Sequence, residues 1–174
     1  MELIRGLYNL RGEHHGCVAT IGNFDGVHRG HQVIIQQCAA KAAELGLPLT
    51  LITFEPQPWE YFHPRSAPAR LTRLREKIRA LGEYGVPRVL CLPFNAQLAG
   101  LEPERFIREI LVDGLGVKYL VVGDDFRFGK DRAGNFSMLQ QAGSEATSGE
   151  STSMSGRTGK WIRARELPWT AALG

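Results

Sequence analysis

Two histidines three positions apart, His28 and His31, are the residues whose types and spacing most favour chemistry. They lie in GNFDGVHRGHQ, positions 22–32, between an apolar run that predicts a strand and an amphipathic run that predicts a helix. At the start of a helix, residues with this spacing project to the same side, so both imidazoles can face one small volume. Gly30 removes a side chain between them and permits close approach of a ligand. Because imidazole can donate a hydrogen bond to a phosphate oxygen whose charge grows in a transition state, the pair predicts a phosphate clamp.

The position of this segment strengthens the prediction. In a doubly wound sheet, the turn from the first strand into its helix directs backbone N–H groups and the helix dipole at an anion. The alternative is that the two histidines only cap the helix or lie in solvent, but the neighbouring glycines, Asn23 and Asp25 favour function. A zinc site completed by His14 or His15 is disfavoured because no third ligand has suitable spacing.

A second candidate segment, FEPQP, follows the second predicted strand at the same edge of the sheet. Phe54, Pro56 and Pro58 are stiff, apolar residues that can present a flat surface to an aromatic ring system at low entropic cost. The segment taken alone is equally consistent with a loop whose prolines only terminate a strand.

A third candidate segment, GDDFRFG, follows the fourth predicted strand and combines charged and aromatic residues. Its carboxylates could position magnesium or bind a ribose or flavin, while its arginines could contact phosphate. A turn with a solvated charge cluster is the plain alternative. The residues concerned are Asp124, Asp125, Phe126, Arg127, Phe128, Gly129 and, slightly later, Arg132.

The elements that must position these segments alternate between short apolar runs and longer amphipathic runs, which predicts a parallel sheet covered by helices. Gly46 is expected to cap the first helix, and Pro103 lies near the start of the third. The proline-rich run 54–68 is expected to lack regular structure. The predicted strands are 17–22, 47–54, 86–94 and 117–123, and the predicted helices are 31–46, 71–85 and 103–116, with another opening at 136–143.

Composition limits the class of protein. The chain has 174 residues, 43% of them hydrophobic and 22% charged, which is typical of one globular domain. The formal charge of +3 suits phosphorylated ligands but lacks the basic excess of a nucleic-acid-binding protein. Three widely spaced cysteines without a CxxC pair favour reduced, buried thiols. No run resembles a secretory signal or could cross a bilayer, so we expect a cytoplasmic protein with no membrane partner.

The three segments also resemble a known family. HRGH, positions 28–31, matches the HxGH signature of nucleotidyltransferases that transfer adenylyl or cytidylyl groups. The longer TIGNFDGVHRGHQ resembles the first motif of the FAD synthetase half of bacterial bifunctional riboflavin kinase/FAD synthetases. TFEPQPWEYF and VVGDDFRFGKDRAGNF resemble that family's motifs after the second and fourth strands. The likeness extends from the N-terminus to about Gly143 and includes LTRLREKI.

This resemblance implies an α/β fold, a Rossmann-like, doubly wound parallel sheet of the HxGH nucleotidyltransferase type. It implies that FMN and ATP, with Mg²⁺, give FAD and pyrophosphate, and that His28 and His31 are the catalytic, charge-stabilising donors. The ATP-binding residues would be Gly22, Asn23, Phe24, Asp25 and Gly30. The flavin-binding residues would be Phe54, Pro56, Pro58, Asp125, Phe126, Phe128 and Arg132. The ligands of the metal are left open.

The last part of the chain departs from the family pattern. We expect residues 1–143 to form the FAD synthetase-like domain and residues 144–174 to form an atypical or disordered tail, because serine, threonine and glycine dominate its first half. The serine-serine-threonine segment with a following arginine, and the riboflavin kinase domain of relatives, are not recognisable. A shifted reading frame or a truncated gene would produce such a change.

Two other functions stay open at this point. One is an adenylyltransferase of the same superfamily with another phosphorylated acceptor, which HxGH alone does not exclude. The other is a nucleotide- or flavin-binding remnant without turnover, which the atypical tail motivates.

Overall fold

The computed structural model describes the backbone of residues 1–148 and 160–163, and side chains as far as residue 144. The described part contains six strands and six α-helices, with short 3-10 turns between them. The strands are β1 (Glu2–Arg5), β2 (Cys17–Ile21), β3 (Leu49–Glu55), β4 (Arg88–Pro93), β5 (Val117–Val122) and β6 (Lys160–Arg163). The helices are α1 (Arg29–Leu45), α2 (Pro58–Phe62), α3 (Leu74–Glu83), α4 (Ala96–Ala99), α5 (Pro103–Phe106) and α6 (Phe136–Ser148).

The strands form one parallel sheet in the order β1-β4-β3-β2-β5-β6. The chain order reverses at β2, which lies between β3 and β5, so the sheet is doubly wound as predicted. The predicted Rossmann-like α/β fold is therefore confirmed. The carboxyl ends of β2, β3 and β5 meet at this reversal, where ligands bind in such sheets.

The core has two layers because alternate strand residues point to opposite faces of the sheet. In β2, Val18 packs on one face while Ala19 packs on the other, and both are fully buried. Residues of α1 and α3 cover the first face, and residues of α5, the π-helical stretch Ile107–Val112 and α6 cover the second. The continuous apolar runs of the strands therefore follow from burial on both faces.

Strand β1 has no counterpart among the sequence predictions. It is a four-residue edge strand whose two apolar residues, Leu3 and Ile4, are adjacent and of which only Ile4 is buried, so the run is too short to show a strand pattern. Its backbone pairs with β4, from Glu2 opposite Arg88 to Arg5 opposite Cys91. Pairing with a distant strand, rather than local pattern, gives this segment its structure.

The prediction that run 54–68 lacks regular structure is wrong, because it contains α2. Pro58 occupies the first helical position, where its missing N–H leaves no hydrogen bond unmade. The backbone N–H of Gln57 donates to the Glu60 carboxylate over 2.8 Å and closes the first turn.

Other predicted boundaries agree or shift by a few residues. Gly46 caps α1 with a positive φ of 67°, and Pro103 is the first residue of α5, both as predicted. The second predicted helix starts at Leu74 rather than Leu71, whose side chain is 74% exposed. The backbone N–H of Leu71 donates to the Asp25 carboxylate and is therefore fixed outside the helix.

Part of the predicted tail is regular structure. Helix α6 runs from Phe136 to Ser148, and residues 160–163 form β6, which pairs in parallel with β5. The predictions for residues 149–159 and 164–174 lie outside the described residues. Within the described part, no helix is both long and apolar enough to cross a membrane.

Candidate active site

Three loops leave the sheet side by side at the carboxyl ends of β2, β3 and β5. The register pairs Ile21 with Ile52 on one side and with Val122 on the other, so the loops after β2 and β5 start at the same level, while β3 continues past them to Glu55. These loops carry the three segments that the sequence singled out. The sequence motifs therefore converge on one edge of the sheet.

The loop between β2 and α1 has a strained backbone. Phe24 and Val27 have φ values of 52° and 41°, in the left-handed region that L-residues seldom adopt, and Val27 is β-branched. Such residues cost about 1–3 kcal/mol each and persist only when the surroundings fix them. Both side chains are 3% exposed and pack in the core beneath the loop, which supplies that constraint.

Asp25 fastens the loop to the segment that precedes α3. Its carboxylate accepts hydrogen bonds from the backbone N–H of Leu71 and of Thr72, each over 2.9 Å, and from the Thr72 hydroxyl over 3.0 Å. The Thr72 Oγ1 accepts in turn from the Gly26 N–H over 3.2 Å. Burial opposes ionisation of Asp25, but these hydrogen bonds hold the pKa of its carboxyl below the usual value. Asp25 thus fastens the loop, and the contact with ATP that the resemblance implied stays a prediction.

Lys77, on the inner side of α3, holds the same loop from within the protein. Its ammonium donates to the Asn23 carbonyl oxygen over 2.8 Å and to the Thr53 hydroxyl over 3.3 Å. The side chain is 1% exposed, and no carboxylate of the described residues forms an ion pair with it. Burial lowers the pKa of this lysine.

No role for Lys77 was expected from the sequence, although a signal was present. Lys77 lies three residues after Leu74 and four before Leu81, on the apolar stripe of an amphipathic helix. A lysine on such a stripe must either reach solvent or find buried acceptors. Here it finds acceptors at the end of β3 and in the loop after β2.

His28 and His31 lie together at the start of α1, as their spacing predicted. Their rings are stacked, with centroids 3.5 Å apart and an interplanar angle of 23°. His28 is exposed, whereas His31 is half-buried and contacts the Phe24 ring at a centroid distance of 5.0 Å. A Cβ at Gly30 would lie 3.2 Å from the His28 ring, so glycine leaves room for that imidazole.

The two histidines differ in electrostatic setting. Burial, together with the neighbouring His28, lowers the pKa of His31 from 6.5 to about 4, so its ring is neutral at neutral pH. The Nδ1 atom of His31 is buried and has no hydrogen-bond partner among the described residues. The pair can therefore offer one neutral and one exposed imidazole to a phosphate.

The loop after β3 differs from the expectation for its aromatic residue. Phe54 is 5% exposed and packs edge-to-face against Phe94 in the core, so it offers no flat surface to a ligand. The continuous strand β3 explains this, because its side chains alternate between two covered faces. Pro56 is exposed, and Pro58 starts α2.

Helix α2 supplies the exposed aromatic residues that Phe54 does not. Tyr61 and Phe62 are 36% and 52% exposed, and both pack edge-to-face against Phe94. Arg70 holds α2 against the end of β3, since its guanidinium donates to Glu55 over 2.6 Å and to the carboxylate of Glu60. These aromatic residues were not singled out because the run was expected to be irregular.

The loop after β5 divides its residues between core and surface. Phe128 is buried, and its ring lies near those of Phe106 and Phe126 at 5.1 and 5.7 Å between centroids. Phe126 is half-buried, while Asp125 and Arg132 are exposed. Phe128 therefore supports the loop, and the other three residues remain accessible.

Comparison with known proteins agrees with this arrangement. The family model described as FAD synthetase matches residues 10–159. A solved macrolide-efflux protein from Streptococcus pneumoniae superimposes with a TM-score of 0.66 at 24% identity, over 80% of this chain and 46% of that chain. At this identity the likeness concerns the fold alone.

Relatives named bifunctional riboflavin kinase/FMN adenylyltransferase match most of the chain. The protein from Pseudomonas fluorescens is 60% identical over 143 residues, which is 82% of this chain and 46% of that protein. The protein from Escherichia coli K12 is 53% identical over 146 residues, 83% of this chain and 47% of that protein. The chain thus spans about half the length of the curated relatives it matches. On the match over residues 10–159, this chain belongs to the FAD synthetase family.

Proposed function

We propose that this chain is an FMN adenylyltransferase that forms FAD and pyrophosphate from ATP and FMN. The observation that carries the proposal is the stacked His28–His31 pair at the start of α1, beside a loop clamped in a strained conformation. Relatives that bear this activity in their names are up to 60% identical to the chain, which supports the same chemistry.

In the proposed reaction, a phosphate oxygen of FMN attacks the α-phosphorus of ATP. A new phosphorus–oxygen bond forms, the bond to the β-phosphate oxygen breaks, and pyrophosphate leaves with the electron pair. Such a transfer requires little covalent help from the protein, mainly alignment of two phosphates and neutralisation of growing charge.

The residues at the start of α1 could align the phosphates and neutralise their charge. The first N–H groups of α1 have no acceptor within the helix and carry the positive end of its dipole, which favours a phosphate. His28 and His31 add two donors beside them, and Gly22, Asn23 and Gly30 complete the proposed ATP site. The clamped loop keeps these groups in place before the substrate arrives, so little reorganisation is needed during reaction.

The proposed reaction also includes Mg²⁺ as the ion that accompanies ATP. Of the described residues, three metal-ligating side chains cluster only at Glu2, Glu13 and His14, at the opposite edge of the sheet. Asp124 and Asp125, exposed just after β5, carry the hard oxygen ligands that suit Mg²⁺ when substrate phosphates supply the rest. The ion would neutralise charge on the phosphates.

The flavin is proposed to lie between the loops after β3 and β5. Pro56, Pro58, Phe126, Asp125 and Arg132 remain candidates there, whereas Phe54 and Phe128 would act by supporting the surface from within the core. The exposed rings of Tyr61 and Phe62 add the aromatic surface that a flavin ring requires.

One assay tests the proposal. The purified chain is incubated with ATP, Mg²⁺ and FMN, and both FAD and pyrophosphate are measured. We expect the two products in equal amounts. Binding of ATP and FMN without product would contradict the proposed activity, and product formed only with another phosphorylated acceptor would favour a related adenylyltransferase.

A further inference from the structure

Lys77 is a charged side chain in a place where charge is costly. An ammonium group taken from water into a protein interior loses several kcal/mol of hydration, which close acceptors must offset. The described residues supply two acceptors, the Asn23 carbonyl oxygen at 2.8 Å and the Thr53 hydroxyl oxygen at 3.3 Å. The Thr53 hydroxyl also lies 3.4 Å from the Asn23 oxygen, so this one carbonyl is contacted from two sides.

These contacts determine the direction of one peptide unit. Among the described residues, the only cis peptide bond joins Glu55 and Pro56, so the Asn23–Phe24 bond is trans. In a trans peptide the C=O and the following N–H point in opposite directions. Since the Asn23 oxygen points inward at Lys77, the Phe24 N–H points away from Lys77.

The backbone N–H of Phe24 is unpaired within the described part of the chain. No backbone or side-chain acceptor of the described residues receives a hydrogen bond from it. Phe24 as a whole residue is 3% exposed, and its side chain packs in the core and anchors the peptide. A backbone donor that is fixed in direction and has no acceptor is the kind of group that binds a phosphate oxygen.

The cation also acts electrostatically on the same peptide. An ammonium that donates to a carbonyl oxygen withdraws electron density from the peptide, and chains of hydrogen bonds polarise one another in this way. The N–H of that peptide thereby becomes a stronger donor.

On these grounds we propose that Lys77 is a positioning residue for the triphosphate, which turns the Asn23–Phe24 peptide so that the Phe24 N–H binds a phosphate oxygen. The inference rests on the proposed function, because it assumes that the chain binds ATP. It adds to that function a residue that does not itself contact the substrate.

The test begins with Lys77→Met, which keeps the length of the stem but removes the donor and the charge. ATP binding is measured by titration calorimetry without FMN, so that no turnover occurs, and KM values for ATP and FMN are measured separately. We expect the Kd for ATP to rise about 10- to 100-fold, the range for losing a hydrogen bond to a charged group. The KM for FMN is expected to stay within about twofold of the wild type, as expected for a site that the lysine does not contact.

Lys41→Met is the matched control. Lys41 lies on α1, pairs with Glu44 over 3.1 Å and contacts neither the loop nor α3 in the described interactions. It should bind ATP as the wild type does. A folded Lys77→Met variant with unchanged ATP affinity would overturn the inference, as would an equal rise in the KM for FMN, which would indicate general loosening.

A measurement on the unaltered protein covers the case in which Lys77→Met does not fold. The backbone amide resonance of Phe24 is followed by nuclear magnetic resonance while ATP is added. A large downfield shift of its proton supports the inference, and an unshifted resonance at saturation overturns it. If the wild type binds no ATP, the proposed function itself fails. If the wild type binds ATP but the Phe24 resonance does not shift, or Lys77→Met binds ATP equally well, the inference alone fails.

Discussion

At the scale of single residues, exposure separates the two members of the histidine pair. His28 is exposed and stacks on His31, which is half-buried behind it. A side chain in the exposed position can be removed with little effect on the fold, whereas its loss would take one donor from the proposed phosphate site. The His28 imidazole is therefore the better choice for a test of chemistry alone.

We predict that His28→Ala lowers the rate of FAD formation by about 10²- to 10³-fold, the scale for losing one charge-stabilising donor. The rate is measured by pyrophosphate release under saturating ATP and FMN. His15→Ala is the control, because His15 is also exposed but precedes β2, at the opposite edge of the sheet. Wild-type turnover in the His28 variant would contradict the role.

The lowered pKa of His31 predicts how the stability of the fold depends on pH. Its pKa is lowered from 6.5 to about 4 in the folded chain, so the unfolded chain binds more protons between these values and stability falls as pH decreases through this window. Glutamine does not titrate, so His31→Gln should remove the decrease in the free energy of unfolding that His31 causes in this window. After discounting for the partial exposure of the ring, this decrease is about 1 kcal/mol. Urea unfolding of both chains above pH 6.5 and near pH 4 gives the comparison.

Acidic groups such as Glu60, whose pKa is lowered in the folded chain by hydrogen bonds from Arg70, also make the fold less stable in acid. They contribute equally to both chains, so the difference between the wild type and His31→Gln isolates the histidine. Parallel pH profiles in the two chains would contradict the lowered pKa of His31.

At the scale of elements, the loop after β2 and the start of α3 behave as one unit. Asp25, Thr72 and Lys77 join them through hydrogen bonds that span 46 to 54 residues of sequence. The unit holds Phe24 and Val27 in the left-handed region at the place where the proposed phosphates bind. The helix therefore holds in place the loop on which the proposed site depends.

Asp25→Ala is expected to lower the free energy of unfolding by about 1–3 kcal/mol, because it leaves partly buried N–H donors without their acceptor. ATP affinity should fall as well, since the loop loses its fastening to α3. Unfolding in urea and calorimetric titration with ATP measure the two effects.

Thr72→Val separates fastening from contact with substrate. It removes the hydroxyl that bonds both Asp25 and the Gly26 N–H, but it leaves the Asp25 carboxylate in place. If Asp25 acts as a clamp, this variant should weaken ATP binding in the same direction. Weakened binding in Asp25→Ala alone would instead favour direct contact between Asp25 and ATP.

At the scale of the whole molecule, the sheet is covered on both faces and its thiols are buried within the layers. Cys17, Cys38 and Cys91 are 0%, 0% and 6% exposed and form no disulfide, as the sequence predicted. Burial raises the pKa of Cys17 to about 11 and that of Cys38 to about 12. Because the thiolate is the nucleophile, these groups should be inert in the folded chain.

The native chain is accordingly expected to react slowly with an aromatic disulfide reagent, and all three thiols should react after denaturation. Absorbance of the released thiolate measures the rate. A thiol in the native chain that reacts as fast as free cysteine would contradict the packing of the two layers.

The sequence by itself determined the parallel sheet, its main helices and the position of the histidine pair. These are local features: apolar runs define strands, helical spacing defines faces, and two residues three apart at a helix start share one side. His28 and His31 could therefore be placed together before the structure was known. Edge strand β1 and helix α2 could not, because few apolar residues mark the first and prolines obscure the second.

Only the tertiary structure decided how the loop is held and which aromatic rings are exposed. Nothing in the sequence indicated that the Asp25 carboxylate accepts hydrogen bonds from Leu71 and Thr72, which lie 46 and 47 residues further along the chain. Phe54 looks like a flavin surface, but strand β3 turns it into the core. The physical reason is that burial and hydrogen-bond partners depend on residues far apart along the chain, whereas local patterns report only the residues beside them.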